Sequence, residues 1–236
     1  MKTQILKGLF CAAIVALLPA AALAQANVTW QAPVTISGAS DVLTAGSLFG
    51  TWAPHGDAAV SGLAVNGVTF QAFPDLPGAA TSLDNNTGTG SYASPGTADA
   101  NYNALMTSGA FGNNNQTYTI SWNGMTAGNM YAVQLWVNDG RNSTVNQRTE
   151  TVTGGANTSA SLAYGSGSTG PGQYIIGTFI ADVSGSETLT LSPGAAFPSP
   201  QFNLIQVRDI TPVPEPSAVA LSLIGFGVLV GVLRKR

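Results

Sequence analysis

The sequence predicts an all-β chain, an antiparallel β-sandwich with an export signal before it and one short membrane helix after it. Three observations carry that expectation. Short runs of alternating apolar and polar residues recur through the middle, separated by Gly, Asn, Asp, Ser and Pro clusters, the pattern of half-buried strands joined by tight turns. With 28 glycines and 13 prolines in 236 residues, the composition disfavours long helices. Apolar stretches capable of entering a membrane occur only at the two ends.

Residues 1–24 read as a signal peptide. Lys2 and Lys7 make a basic start, Leu9 to Leu18 an apolar centre, and Ala22-Leu23-Ala24 puts small side chains at the −3 and −1 positions of a cleavage site. Cleavage then leaves Gln25 as the first residue, with a cut after Ala26 as the near alternative. Cys11 leaves with the peptide, so the mature chain has no cysteine. Thiol catalysis and cysteine-based zinc sites are thereby excluded, and the domain must be held by its apolar core rather than by disulfides.

Residues 25–211 form the predicted extracellular domain. Tyr131 to Asn138 alternates strictly, with Tyr131, Val133, Leu135 and Val137 on one face and Ala132, Gln134, Trp136 and Asn138 on the other, more polar one. Similar runs are 28–36, 68–73, 117–122, 148–153, 174–180, 187–191 and 202–210. Asn66-Gly67, Asn123-Gly124 and Asp139-Gly140 mark turns, because Asn and Gly tolerate positive φ. Residues 77–116 are dense in Gly, Asn, Thr, Ser and Ala and predict an irregular insertion, with no helix anywhere in the domain.

Charge excludes several functions. Between Gln25 and Pro212, Arg141, Arg148 and Arg208 are the only cations and face ten acids, a balance of −7. That surface repels nucleic acid and anionic lipid. Gly165-Ser166-Gly167-Ser168-Thr169-Gly170 satisfies a dinucleotide fingerprint, but Pro171-Gly172 and a strand follow it where a helix is required.

Residues 212–236 form the last unit. Pro212, Pro214 and Pro216 keep the chain extended, and Ser217 to Leu233 spans 17 residues, about 25 Å as a helix. This reaches the lower limit for crossing a bilayer, with Arg234, Lys235 and Arg236 as the cytoplasmic stop. The run VPEPSAVALSLIGFGVLVGVLRKR, with its Pro214-Glu215-Pro216 triplet, glycine-bearing apolar helix over 217–233 and terminal basic cluster, resembles the PEP-CTERM sorting signal of Gram-negative bacteria. The resemblance implies that exosortase, a membrane-embedded protease, processes the chain near the triplet. It further implies transient anchoring in the inner membrane, with the domain outside the cytoplasm, and then association with the cell surface, biofilm or exopolysaccharide matrix. The alternative reading of the same residues is an ordinary single-pass anchor.

The Tyr-x-Val-x-Leu-x-Val strand with Asn138-Asp139-Gly140-Arg141 after it, and the later strands 173–182 and 202–208, resemble the galactose-binding or malectin-like jelly roll. That likeness implies carbohydrate binding. Two readings of Trp136 stand: it stacks on a sugar ring while Asp139 and Arg141 hydrogen-bond to hydroxyls, or it packs beneath the insertion or a second sheet. Asp139 with the Asn142 amide also offers oxygen ligands for a structural calcium ion, the one cofactor the residues suggest.

Catalytic constellations are sparse. His55 near Asp57 lacks any nucleophile elbow. Glu150 and Glu187 are the glutamates available within the domain for glycosidase chemistry. The expectation is therefore a non-enzymatic exported protein that binds polysaccharide, with a carbohydrate-active enzyme on the same sandwich as the alternative.

Overall fold

The computed structural model describes residues 25–53, 60–71, 77–81, 84–86, 92–112, 115–140, 148–165, 171–195 and 199–212. In chain order the strands begin with β1 (Thr29–Trp30), β2 (Val34–Thr35), β3 (Ser47–Trp52), β4 (Leu63–Val65), β5 (Val68–Phe70), β6 (Ala80–Thr81), β7 (Asp84–Asn86) and β8 (Gly109–Phe111). A helix, α1 (Ala100–Met106), precedes β8. The strands continue as β9 (Tyr118–Trp122), β10 (Met130–Val137), β11 (Thr149–Gly154), β12 (Asn157–Thr158), β13 (Leu162–Ala163), β14 (Gln173–Ile180), β15 (Glu187–Pro193), β16 (Gln201–Phe202) and β17 (Leu204–Asp209).

Two antiparallel sheets carry the fold. The first runs β1-β14-β10-β17-β3, with β2 also on β14; the second runs β12-β11-β15-β9-β6, with β13 on β11. Alternation decides which side chains meet between them. Tyr131, Val133, Leu135 and Val137 of β10 join Ile175 and Phe179 of β14, and Ile205 and Val207 of β17, against Tyr118, Ile120 and Trp122 of β9, Val152 of β11 and Leu189 and Leu191 of β15. The all-β antiparallel sandwich is as the sequence predicts.

The other face of the first sheet is covered as well. Trp136 and Leu204 lie there under Val65, Val68 and Phe70 of the β4-β5 hairpin and Tyr102, Leu105 and Met106 of α1, in a second apolar cluster. The hairpin turns at Asn66-Gly67 with φ of 49° and 76°, two successive positive values that such a two-residue turn requires. Burial of β10 on both faces explains its near-continuous coverage by other elements.

Where the sequence predicts an irregular insertion over 77–116, the described residues hold β6, β7, β8 and α1. The helix forms because Asp99 caps it, accepting the Tyr102 N–H at 2.8 Å, and because Tyr102, Leu105 and Met106 fall on one face at helical spacing. The predicted strand 28–36 is split into β1 and β2 around Pro33, which has no N–H to donate to a ladder. Among the described residues no helix is long and apolar enough to cross a membrane; the predicted signal peptide, Ala22 and Ala24 included, and the predicted membrane helix 217–233 lie outside them.

Candidate functional site

The residues singled out in the sequence fall into separate parts of the sandwich. Trp136 is fully buried, with its ring edge-on to Phe70 at 6.0 Å between centroids and tilted against Tyr174 at 6.1 Å. It packs beneath the hairpin and helix, the second of its two readings. Asp139 is fully buried too, and its Oδ2 pairs with Arg148 Nη1 at 3.0 Å. The Arg148 guanidinium also lies over the Tyr164 ring, 5.7 Å from its centroid. Trp136 and Asp139 thus present no solvent-facing ligand surface here. Arg141, Asn142, His55, Asp57 and the triplet Pro214-Glu215-Pro216 with its stop Arg234, Lys235 and Arg236 lie outside the described residues.

Around Asp139 the interior is polar because it satisfies irregular backbone. Asn203 donates to the Met106 and Ser108 carbonyls and accepts the Asn138 N–H at 2.6 Å; Asn138 in turn donates to the Ala93 carbonyl and accepts the Gly172 N–H. A second set does the same for the 41–46 loop. Gln134 donates to the Asp41 carbonyl and accepts from Leu43 N–H and Gln206, while Arg208 donates to the carbonyls of Thr44, Ala45 and Gly46. Buried backbone groups without a ladder need such partners, and these side chains are structural by that measure.

Glu150 and Glu187 point inward at opposite ends of the second sheet. On β11 the alternation places Glu150 beside Val152 in the interior, where Oε2 accepts from Tyr164 Oη and from the Gln201 N–H at 2.9 Å. Burial pushes its carboxyl up to about 8. Glu187 opens β15 opposite Trp122, whereas Glu150 stands opposite Pro193 at the far end of that strand. Six residues of strand put them about 20 Å apart, against the roughly 5–10 Å that paired glycosidase carboxylates need.

The solvent side of the same sheet has a uniform chemistry that the strand-by-strand reading of the sequence missed. Thr119 and Ser121 of β9, Thr188, Thr190 and Ser192 of β15, Thr151 and Thr153 of β11 and Thr158 of β12 all take outward positions. They stand directly opposite one another across the ladders: Ser121 beside Thr188, Thr119 beside Thr190, Thr190 beside Thr153, Thr153 beside Thr158. Hydroxyl pairs close at 2.9 Å between Ser121 and Thr188 and at 2.8 Å between Thr153 and Thr158. The outward alternation in Thr149-Glu150-Thr151-Val152-Thr153 and Thr188-Leu189-Thr190-Leu191-Ser192 is the signal that could have found this face.

One end of the sandwich carries a cavity of about 130 Å³ lined by Gln25, Asp182, Ser184, Ser186, Glu187 and Thr188. Among the described residues no three His, Cys, Asp or Glu side chains converge.

Comparison with known proteins bears on the tail and on the fold. Residues 212–236 match the PEP-CTERM protein-sorting motif. No curated protein sequence matches the chain. Among solved structures the chain is similar to the plant receptor-like kinase ANX2, at 14% identity and a TM-score of 0.51, with 72% of this chain and 51% of that one covered. The chain therefore spans about half the length of that structure. It is also similar, at 16% identity and a TM-score of 0.34, to a family 35 carbohydrate binding module from Clostridium thermocellum, with 55% of this chain and 90% of that one covered. The sorting motif implies an exported, exosortase-processed protein, and the ANX2 likeness agrees with the antiparallel β-sandwich fold.

Proposed function

We propose that this chain is a non-enzymatic component of the cell surface or extracellular matrix, delivered through its PEP-CTERM tail and holding matrix polysaccharide on the hydroxyl-bearing face of its second sheet. The single observation behind the delivery is the match over residues 212–236, which begins three residues after β17 ends at Asp209. The predicted processing triplet Pro214-Glu215-Pro216 thus follows the last strand of the sandwich closely, and three alternating prolines favour the extended form that a protease binds.

The polysaccharide reading rests on the outward Thr and Ser array of β9, β11, β12 and β15, which bears no charge at those positions. Hydroxyls donate and accept, so such a face exchanges hydrogen bonds with a neutral glycan, each weak and many in parallel along one polymer. The wide separation of Glu150 and Glu187 supports binding without hydrolysis.

Intact mass of the protein from cells with and without exosortase tests the delivery. Loss of the mass beyond Glu215 only in the first is expected; equal masses would return the tail to a plain anchor. Co-sedimentation with the cell's own exopolysaccharide tests the face. Thr153→Glu with Thr190→Glu should abolish retention while leaving the sandwich folded, and release of reducing sugar by the unaltered chain would favour the enzyme instead.

A further inference from the structure

The loop between β14 and β15 folds back at one end of the sandwich, and Gln25 reaches across it. Gln25 Nε2 donates to Glu187 Oε1 and to the Thr188 carbonyl. Glu187 is 1% exposed, lines the cavity, and among the described residues has no partner on its second oxygen, Oε2. Asp182 lines the same space, with its Oδ1 accepting the Ser184 N–H and hydroxyl. No lysine, arginine or histidine is among the lining residues. Burial pushes the Glu187 carboxyl up to about 7, the Gln25 amide and the Thr188 N–H pull it down, and Asp182 pushes it up again. Two carboxylates, one of them buried, therefore share this space with no cationic side chain among its lining residues.

We propose that this cavity is a binding site for one hard divalent cation, calcium by its donor set, taken by the carboxylates of Glu187 and Asp182. The other lining side chains that offer oxygens are Ser184 and Ser186 through their hydroxyls, and Gln25 if its amide, which now donates Nε2 to Glu187, turns over on binding. An all-oxygen set of mixed charge and irregular layout suits calcium, whereas magnesium demands near-ideal octahedral geometry and gives up water reluctantly. The site lies away from Asp139, at the opposite end of β15 from Glu150. Its ion would fasten the segment before β1 to the β14-β15 loop.

The test uses the mature chain that begins at Gln25, stripped with EDTA and titrated with calcium chloride by calorimetry and by thermal unfolding. One calcium per chain is expected, with a dissociation constant on the order of 10⁻⁴–10⁻³ M, as extracellular modules show. A rise in Tm of several degrees at about 10 mM calcium should accompany it, with a much smaller rise in magnesium. Glu187→Gln removes the charge while keeping the shape and should abolish both responses; Asp182→Asn, on the half-buried turn, should weaken binding at least tenfold and serves if the first variant misfolds. Absence of calcium uptake at 10 mM, or uptake unchanged in both variants, overturns the proposal. A chain that ignores calcium yet loses stability in Glu187→Gln also overturns it, and assigns the carboxylate to the α-ammonium group that cleavage after Ala24 would leave on Gln25.

Discussion

Replacing Glu150 by glutamine isolates the cost of a buried acid. Oε2 accepts from Tyr164 and from the Gln201 N–H, while Oε1 has no partner among the described residues. Burial raises the carboxyl from 4.5 to about 8, and the two hydrogen bonds and the Arg148 charge oppose that shift without cancelling it. The unfolded chain thus releases this proton near pH 4.5, and the folded chain keeps it until about pH 8. Below the lower value both states are protonated and the group costs nothing. Across the window stability falls as pH rises, by about 1.4 kcal/mol per unit and up to about 5 kcal/mol in all; above about pH 8 the penalty is constant. In Glu150→Gln the amide oxygen still accepts both bonds, the NH₂ inherits the unpartnered position, and no proton is lost. Urea unfolding of both chains at steps from pH 4 to pH 9 measures the difference, to which the shared Glu187 contributes nothing. The curves should coincide near pH 4.5 and separate upward, with the variant more stable by about 3–5 kcal/mol at pH 8.5. Parallel curves, or a variant weaker at pH 8.5, would mean that the folded chain holds Glu150 ionised and gains from it, and the reasoning fails.

Two further substitutions probe the same end of the molecule. Asp139→Ala strands the Arg148 guanidinium in the interior and should cost about 3 kcal/mol, read as a lower urea midpoint at unchanged slope; a loss under 1 kcal/mol would make the pair dispensable. Gly172→Ala places a Cβ 2.0 Å from the Val137 carbonyl oxygen and 2.7 Å from that of Tyr164. Both neighbours are backbone and cannot swing aside, so a loss of about 3 kcal/mol, the upper end for overpacking, is expected in the thermal midpoint.

Strands were legible where one face is apolar and the other polar. The alternation of Tyr131 to Asn138 located β10 and sorted its side chains onto the correct faces. It did not reveal what covers the polar face, because Gln134, Gln206 and Arg208 look like solvent-facing residues until the 41–46 loop lies down on them and uses their hydrogen-bonding groups. Long-range backbone satisfaction of that kind leaves no periodic trace in a sequence. The same blind spot made Trp136 a candidate for sugar stacking. Glu150 was readable in retrospect, since it shares its phase with Val152 and so had to face inward. Helix α1 hid because one turn of apolar spacing at Tyr102, Leu105 and Met106 is short evidence amid glycine and asparagine, and only Asp99 as a cap distinguishes it. The Thr and Ser face needed register, which strands carry only once they are paired.

The strand nearest the tail, β17, is not at an edge: β10 grips it on one side and β3 on the other. A load applied at the carboxyl end therefore cannot peel one strand from a rim; two ladders have to slide at once.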